Sequence, residues 1–485
     1  MNYRMVVFVL GRIFLVEAAM LLLPMACSAI YGEWYMLPAF LLPAVILLLL
    51  GLAASLRTPK NTTIYARDGL AIVALVWVLM SAFGALPFVI SGEIPAFADA
   101  FFEMVSGFTT TGSTILNDVE ALSRGALFWR SFSHWVGGMG VLVFAMAVLP
   151  MTDGRAMHLM RAEVPGPTCG KLSSKLSDSA KILYGIYFAM TALEVVFLCA
   201  GGMSLYESLI HSFGTAGTGG FSNRGLSIGA YQNPYFEWVI GIFMLLFGVN
   251  FNLYYFILMR HFREAFGSEE LRAYLGIVLF STVTIAANIL SMVGSVGEAV
   301  RTAFFQVSSI ITTTGYATAD FNLWPTYSRI LLLVLMFVGG CAGSTAGGLK
   351  MSRVIIFFKA ARQDLNKMLH THAVTTIRFE GKPLDEKTLQ GVHNYFNVYM
   401  LLIMLSTVLV SLDGFDLTTT FTAVITCINN VGPGMELVGP MGNFSQFSAP
   451  VKYLLSFNML AGRLELYPML AMFAPRLWRS RRTMR

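Results

Sequence analysis

Four short runs of this chain have the composition needed to hold a dehydrated cation. They are Thr109-Thr110-Thr111-Gly112, Ala216-Gly217-Thr218-Gly219-Gly220-Phe221, Thr312-Thr313-Thr314-Gly315-Tyr316 and Asn429-Asn430-Val431-Gly432-Pro433-Gly434. Glycine reaches backbone angles that other residues resist, so carbonyls beside it can be aimed at an axis. Four rows of carbonyls can then replace the hydration shell of a cation. Gly112, Gly219, Gly315 and Gly432 stand 107, 96 and 117 residues apart. A recurring period of this kind means one structural unit used repeatedly. One such run alone would equally be a turn, and hydroxyls often hydrogen-bond inside membrane helices. The recurrence favours a filter.

No other constellation suggests chemistry. His134, His211 and His261 stand singly, which points to structural or surface roles. There is no paired-histidine metal spacing, no Ser-His-Asp arrangement and no dinucleotide fingerprint, so neither an enzyme nor a bound cofactor is expected. The five cysteines, at 27, 169, 199, 341 and 427, form no CxxC, and neither disulfides nor metal sites are expected.

The elements that must position the four runs are membrane helices. Of 485 residues, 56% are hydrophobic and only 12% charged. That is half the ~25% charge of a soluble domain. A span needs about 20 mostly apolar residues. Ten stretches qualify: 6–30, 36–56, 69–91, 127–150, 182–203, 236–259, 273–295, 328–349, 395–412 and 452–474. Residues 6–30 are expected to be a retained span rather than a cleaved signal, because the stretch is long and contains Arg12 and Glu17. Between the spans lie four stretches too short to cross: 97–112, 205–219, 298–315 and 416–432. Each starts near an acid (Asp99, Glu207, Glu298, Asp416) and ends in one of the Gly-containing runs. Of the 33 Lys and Arg, 26 fall on one face if the N-terminus is inside, six on the other, and Arg463 within the last span. This bias places both termini in the cytoplasm and all four short stretches on the outer side.

The third to tenth spans therefore read as four copies of span, re-entrant helix, Gly-containing strand, span. The expected architecture is an all-α polytopic protein with a pseudo-fourfold pore. Residues 1–68 lie outside the repeat. Repeats follow at 69–155, 156–265, 266–390 and 391–485. The negative ends of the re-entrant helices would face the pore centre and favour cations there.

Two further features fit a pore. Residues 339–350 interrupt the eighth span with small residues and five glycines, so a continuous helix is not expected. Composition leaves two readings open: close packing of helices, or a flexible loop that obstructs the pore. The loop lacks the Gly-Lys-Ser/Thr of a phosphate loop, which excludes nucleotide binding there. Arg463, deep in the tenth span, must face a partner or water. Either it pairs with Glu194 or another buried acid, or it places positive charge under the filter. The basic inner loops 151–181 and 350–390 set topology and touch anionic lipid. The second is also long enough to dock a soluble partner. No nucleic-acid partner is expected.

The span–pore–span unit with one key glycine per loop resembles the Trk/Ktr/HKT superfamily of cation transporters. The two extra N-terminal spans, the Gly339–Lys350 stretch and Ala461-Gly462-Arg463-Leu464-Glu465 are similar to its bacterial TrkH type. The resemblance covers essentially the whole chain. It implies potassium uptake, or symport, across the bacterial inner membrane through a gated, channel-like pore. It implies a potassium filter at Thr110, Thr111, Gly112, Thr218, Gly219, Gly220, Thr313, Thr314, Gly315, Asn430, Val431 and Gly432. It implies a gate of Gly339, Gly340, Gly343, Ser344, Thr345, Gly347, Gly348 and Arg463. A homodimer and a cytosolic nucleotide-binding ring of the TrkA type are implied as partners. Glycine at all four filter positions goes with potassium selectivity in that superfamily. Asn429 and Asn430 depart from the Thr-rich pattern, and their backbone carbonyls are expected to do the same work. The alternatives are a secondary cation-coupled transporter or a less selective Na+/K+ permease. Broken helices in coupled transporters typically come in inverted pairs, whereas here all four breaks share one orientation.

Overall fold

Long apolar helices dominate because backbone polar groups in hydrocarbon must be satisfied within the segment. In the computed structural model, residues 1–61, 64–140, 176–370 and 376–478 are described. The second half of the expected fourth span, the loop 151–175, Cys169 and the tail beyond 478 lie outside the described residues. Among the described residues six helices are long and apolar enough to cross a membrane: Tyr3–Ile30, Trp34–Ser55, Ala66–Ser91, Lys181–Ala200, Glu269–Val293 and Glu386–Asp413. A seventh candidate is the pair Pro234–Phe247 and Phe251–Leu258, bent by 92°. Local signals set several ends. Ser123 and Ser204 accept hydrogen bonds from Ala126 and Glu207 amides, and Gly92 and Gly294 terminate helices with φ of 79° and 77°.

The four expected short stretches are helices: Phe97–Phe108, Leu205–Gly217, Val296–Ile311 and Leu417–Asn429. At ~1.5 Å per residue the longest is about 24 Å, short of the ~30 Å hydrocarbon thickness. Asp99, Glu207 and Glu298 occupy first turns, and Asp416 caps the fourth helix by accepting from the Thr419 amide at 2.9 Å. Each short helix packs against its two flanking helices and also against one helix outside that pair. Leu205–Gly217 touches Arg124–Gly138, Val296–Ile311 touches Pro234–Phe247, Leu417–Asn429 touches Thr326–Val338, and Phe97–Phe108 touches Ala449–Arg463.

Three expected spans are not continuous. The stretch 236–259 breaks at Gly248–Asn250. The stretch 452–474 breaks after Arg463, where Glu465 and Leu466 take φ of 58° and 65°. The stretch 328–349 is helical only to Val338. The helices before these breaks, Pro234–Phe247, Thr326–Val338 and Ala449–Arg463, have 14, 13 and 15 residues. Each is thus about 20 Å long and stops part-way through a membrane. Hydropathy averages across such breaks, because the flanking residues are apolar on both sides.

Tyr3–Met20 and Leu37–Ser55 pack closely through small residues: a Cβ on Gly51 would lie 2.8 Å from the Gly11 carbonyl oxygen. A two-stranded hairpin, Arg378–Phe379 paired with Lys382–Pro383, buries Phe379 against Ile356 and Val392 of the helices on either side.

Candidate ion pathway

Each short helix ends by turning one residue into the left-handed region. Thr110, Thr218, Thr313 and Asn430 have φ of 57°, 57°, 57° and 55°. Two residues later Gly112, Gly220, Gly315 and Gly432 have φ of 82°, 77°, 85° and 101°. This backbone register corrects one expectation. Gly220, not Gly219, corresponds to the other three glycines. Gly219 is not left-handed and lies against the His134 ring.

The glycines are dictated by their neighbours. A Cβ on Gly112 would strike the Gly219 carbonyl oxygen, one on Gly220 the Thr314 oxygen, and one on Gly315 the Val431 oxygen. One on Gly432 would come within 2.8 Å of the Thr111 oxygen. Each glycine therefore abuts the carbonyl that precedes the next glycine, and the fourth segment closes on the first. The carboxyl ends of all four short helices lead into these segments, which concentrates negative partial charge there.

Side chains tie the segments together. Thr109 and Thr111 hydroxyls lie 2.7 Å apart and those of Thr312 and Thr314 2.8 Å apart. Asn430 fits the threonine register and its amide donates to Thr111 Oγ1 at 2.9 Å and to the Met459 carbonyl at 3.0 Å. Tyr399 donates to Asn429 Oδ1 at 2.8 Å. His134 donates from Nδ1 to the Gly107 carbonyl at 2.7 Å and accepts the Phe221 amide at Nε2, 3.2 Å away. His211 bridges the Glu207 carbonyl and Ser222 Oγ. Both histidines thus brace the segments.

Sequence reasoning missed the strongest brace. Glu103 and Arg130, both buried, form an ion pair at 2.7 Å. Glu103 also accepts from Thr114 Oγ1 and the Ile115 amide. The Arg130 guanidinium lies 3.9 Å from the Phe221 ring centroid. Their 27-residue separation carries no motif. The available signal was that each is a charge beyond the first turn of its helix. Removing one partner of a buried pair strands the other charge, at about 3–5 kcal/mol. Glu103→Leu is expected to lower unfolding stability in detergent by that amount, and Glu103→Leu/Arg130→Met to recover most of it. If single and double variants lose equally, the pair is not the cause.

The 339–350 stretch sits directly beneath. The Gly347 amide donates to Thr313 Oγ1 at 2.6 Å and the Gly348 amide to the Asn429 carbonyl at 3.0 Å. The Cys341 amide reaches the Gly248 carbonyl, and the Phe251 amide reaches the Gly343 carbonyl, at 2.9 and 3.0 Å. The loop thereby fills the gap left by the break at 248–250. Gly339, Gly343 and Gly348 have φ of 70°, 73° and 77°, which explains their residue type. Ser344 Oγ donates to the Cys341 carbonyl, and Thr345 Oγ1 to that of Phe247. A Cβ on Gly340 would meet that of Ala346.

Arg463 donates to the carbonyls of Thr345 at 2.7 Å, Gly137 at 2.5 Å and Gly138 at 2.7 Å. Neither oxygen of Glu194 takes a hydrogen bond from it, so the structure does not make the Glu194 pair. Glu465 pairs with Arg353. Lys350, not singled out from the sequence, is buried and donates to the Ala346 carbonyl. Two cationic side chains therefore hold successive carbonyls of the loop.

Comparison with known proteins gives the family of the chain. The family described as "TrkH: Cation transport protein" matches residues 37–480. The chain is 37% identical over 422 residues to the "Trk system potassium uptake protein TrkH" of Escherichia coli K12, covering 86% of each. It is 34% identical to TrkG of the same strain, covering 99% of each. The "Crystal Structure of the Potassium Transporter TrkH from Vibrio parahaemolyticus" superposes with a TM-score of 0.89 at 30% identity, covering 99% of this chain and 100% of that one. The chain belongs to the TrkH family of cation transport proteins.

Proposed function

We propose that this protein takes up potassium, as the names of its relatives say of them, and that it does so through a gated, channel-like pore. The observation that supports this best is the closed cycle of contacts linking Gly112, Gly220, Gly315 and Gly432 to the carbonyls of the next segment. In this reading the filter consists of residues 110–112, 218–220, 313–315 and 430–432, and potassium is cargo held by their carbonyls. The short helices are pore helices in four span–pore–span units (69–155, 156–265, 266–390, 391–485), with residues 1–68 outside them. There are ten spans, three of them broken at mid-depth. The bonds from Arg463 and Lys350 to loop 339–350 support a closed gate there. The Lys/Arg distribution supports an inner-membrane protein with cytoplasmic termini. The protein acts without a cofactor or catalysis, as a homodimer regulated by a cytosolic nucleotide-binding ring of the TrkA type.

Uptake of radioactive rubidium into liposomes holding the pure protein tests this. Uptake competed by potassium and caesium but weakly by sodium is expected. Equal competition by sodium would make it a less selective Na+/K+ permease. Uptake that requires an imposed sodium or proton gradient would make it a coupled transporter. Gly112→Ser places a side chain against the Gly219 carbonyl and should raise sodium permeation relative to potassium, read from reversal potentials. Unchanged ion ratios in a folded variant would remove Gly112 from the filter.

A further inference from the structure

We infer that Glu270 is a latch on the intramembrane loop, and that the hairpin 377–384 is the handle by which the latch is worked. The inference rests on reading loop 339–350 as the gate. Glu270 is the second residue of the helix Glu269–Val293 and is 5% exposed. A single oxygen, Oε1, accepts from the amides of Ala342 at 2.8 Å and Ser352 at 2.9 Å. These amides bracket residues 343–351, so one carboxylate ties the middle of the loop to the start of the helix that follows it. A charged acceptor strengthens both bonds.

The same helix start is tied to the hairpin. Glu380 Oε1 accepts from the Glu270 amide at 3.0 Å and from Ser268 Oγ at 2.8 Å. Ser268 already caps this helix by accepting from the Leu271 amide. Glu380 is a second anchor, 110 residues away in the chain. It sits at the hairpin turn with φ of 51°, followed by Gly381 with φ of 74°. A second strap runs alongside. Lys359 pairs with Glu269 at 2.5 Å and donates to the Arg378 carbonyl at 2.7 Å. Phe379, packed on Ile356 and Val392, fixes the hairpin to Met351–Leu369, the helix that leaves the loop, and to Glu386–Val410.

Force or contact on the hairpin therefore reaches Glu270 through one hydrogen bond, and the loop through one more. Beyond the loop lie Thr313 of the third segment and Arg463. Withdrawing Glu380 leaves the Glu270 amide without its acceptor and frees the helix start to shift. Glu270 then releases Ala342 and Ser352. Both glutamates are positioning residues: they act on the pathway through the loop.

The full-length protein in lipid nanodiscs, and in liposomes for flux, tests this with Glu270→Gln and the more exposed Glu380→Ala. Hydrogen–deuterium exchange of peptides covering 340–352 should quicken about tenfold in each, as expected for loss of a bond to a charged group. Rubidium flux per folded molecule should rise by a similar factor. In a chain lacking 343–347, Glu270→Gln should add no further flux, since the loop it acts through is gone. Glu380→Asp should fall between wild type and Glu380→Ala. Unchanged exchange over 340–352 in both variants overturns the latch. So does a fall in folded yield with unaltered exchange and flux per molecule. Faster exchange with no rubidium flux in any protein, wild type included, upholds the latch and overturns the pore reading instead.

Discussion

Deleting residues 343–347 is expected to raise rubidium flux through the protein alone by up to about a hundredfold. The deleted segment carries the Gly347 amide bonded to Thr313, the Thr345 carbonyl bonded to Arg463 and the Gly343 carbonyl bonded to Phe251. At a net ~1 kcal/mol each, three such bonds bias the loop toward its docked position by about 3 kcal/mol. A bias of that size leaves under about 1% of molecules with the loop lifted. Removing the loop removes the bias. The measurement is initial uptake per folded molecule in proteoliposomes of equal protein density. A folded deletion variant that conducts like wild type would make the segment packing material, which composition alone allows.

Arg463→Ala should raise flux as well, by up to about thirtyfold. Two effects act in one direction. The guanidinium holds the Thr345 carbonyl on one side and the Gly137 and Gly138 carbonyls on the other, so its loss loosens the loop. On the proposed pore reading it also repels a potassium ion beneath the filter. At ~8 Å and an effective dielectric of ~20 that repulsion is about 2 kcal/mol, or about thirtyfold in rate at ~1.4 kcal/mol per decade. Arg463→Lys keeps the charge but not the three-way bridge, and should change flux much less. Thermal stability in detergent separates the alternatives. A large loss of stability with no gain in flux per molecule would make Arg463 a structural clamp alone.

Much of this protein was legible in its residues. The near-absence of charge and the one-sided Lys and Arg required a polytopic membrane protein, because hydrocarbon rejects charge and loop charge sets orientation. The four short helices, their acidic starts and their Gly-containing ends were also legible. Non-helical backbone within a membrane needs glycine and a protein-lined cavity, and that requirement is written in residue types. The gap at 339–350 announced itself through its glycines for the same reason.

Tertiary contact decided the rest. Thr218-Gly219-Gly220 offers two glycines for one position, and local sequence does not rank them. Backbone conformation makes the choice: Gly220 is left-handed with φ of 77° and abuts the Thr314 carbonyl, whereas Gly219 is not left-handed and packs on His134. The breaks at 248–250 and 464–466 lie among apolar residues, where composition is blind to backbone direction. At the first break the backbone is satisfied by partners distant in the chain, the Cys341 amide on the Gly248 carbonyl and the Phe251 amide on the Gly343 carbonyl. Glu103 with Arg130, and Glu270 with Ala342 and Ser352, are invisible to any periodic pattern. A buried charge must find its partner in space, and the fold alone brings residues 27, 72 or 82 positions apart within hydrogen-bond reach.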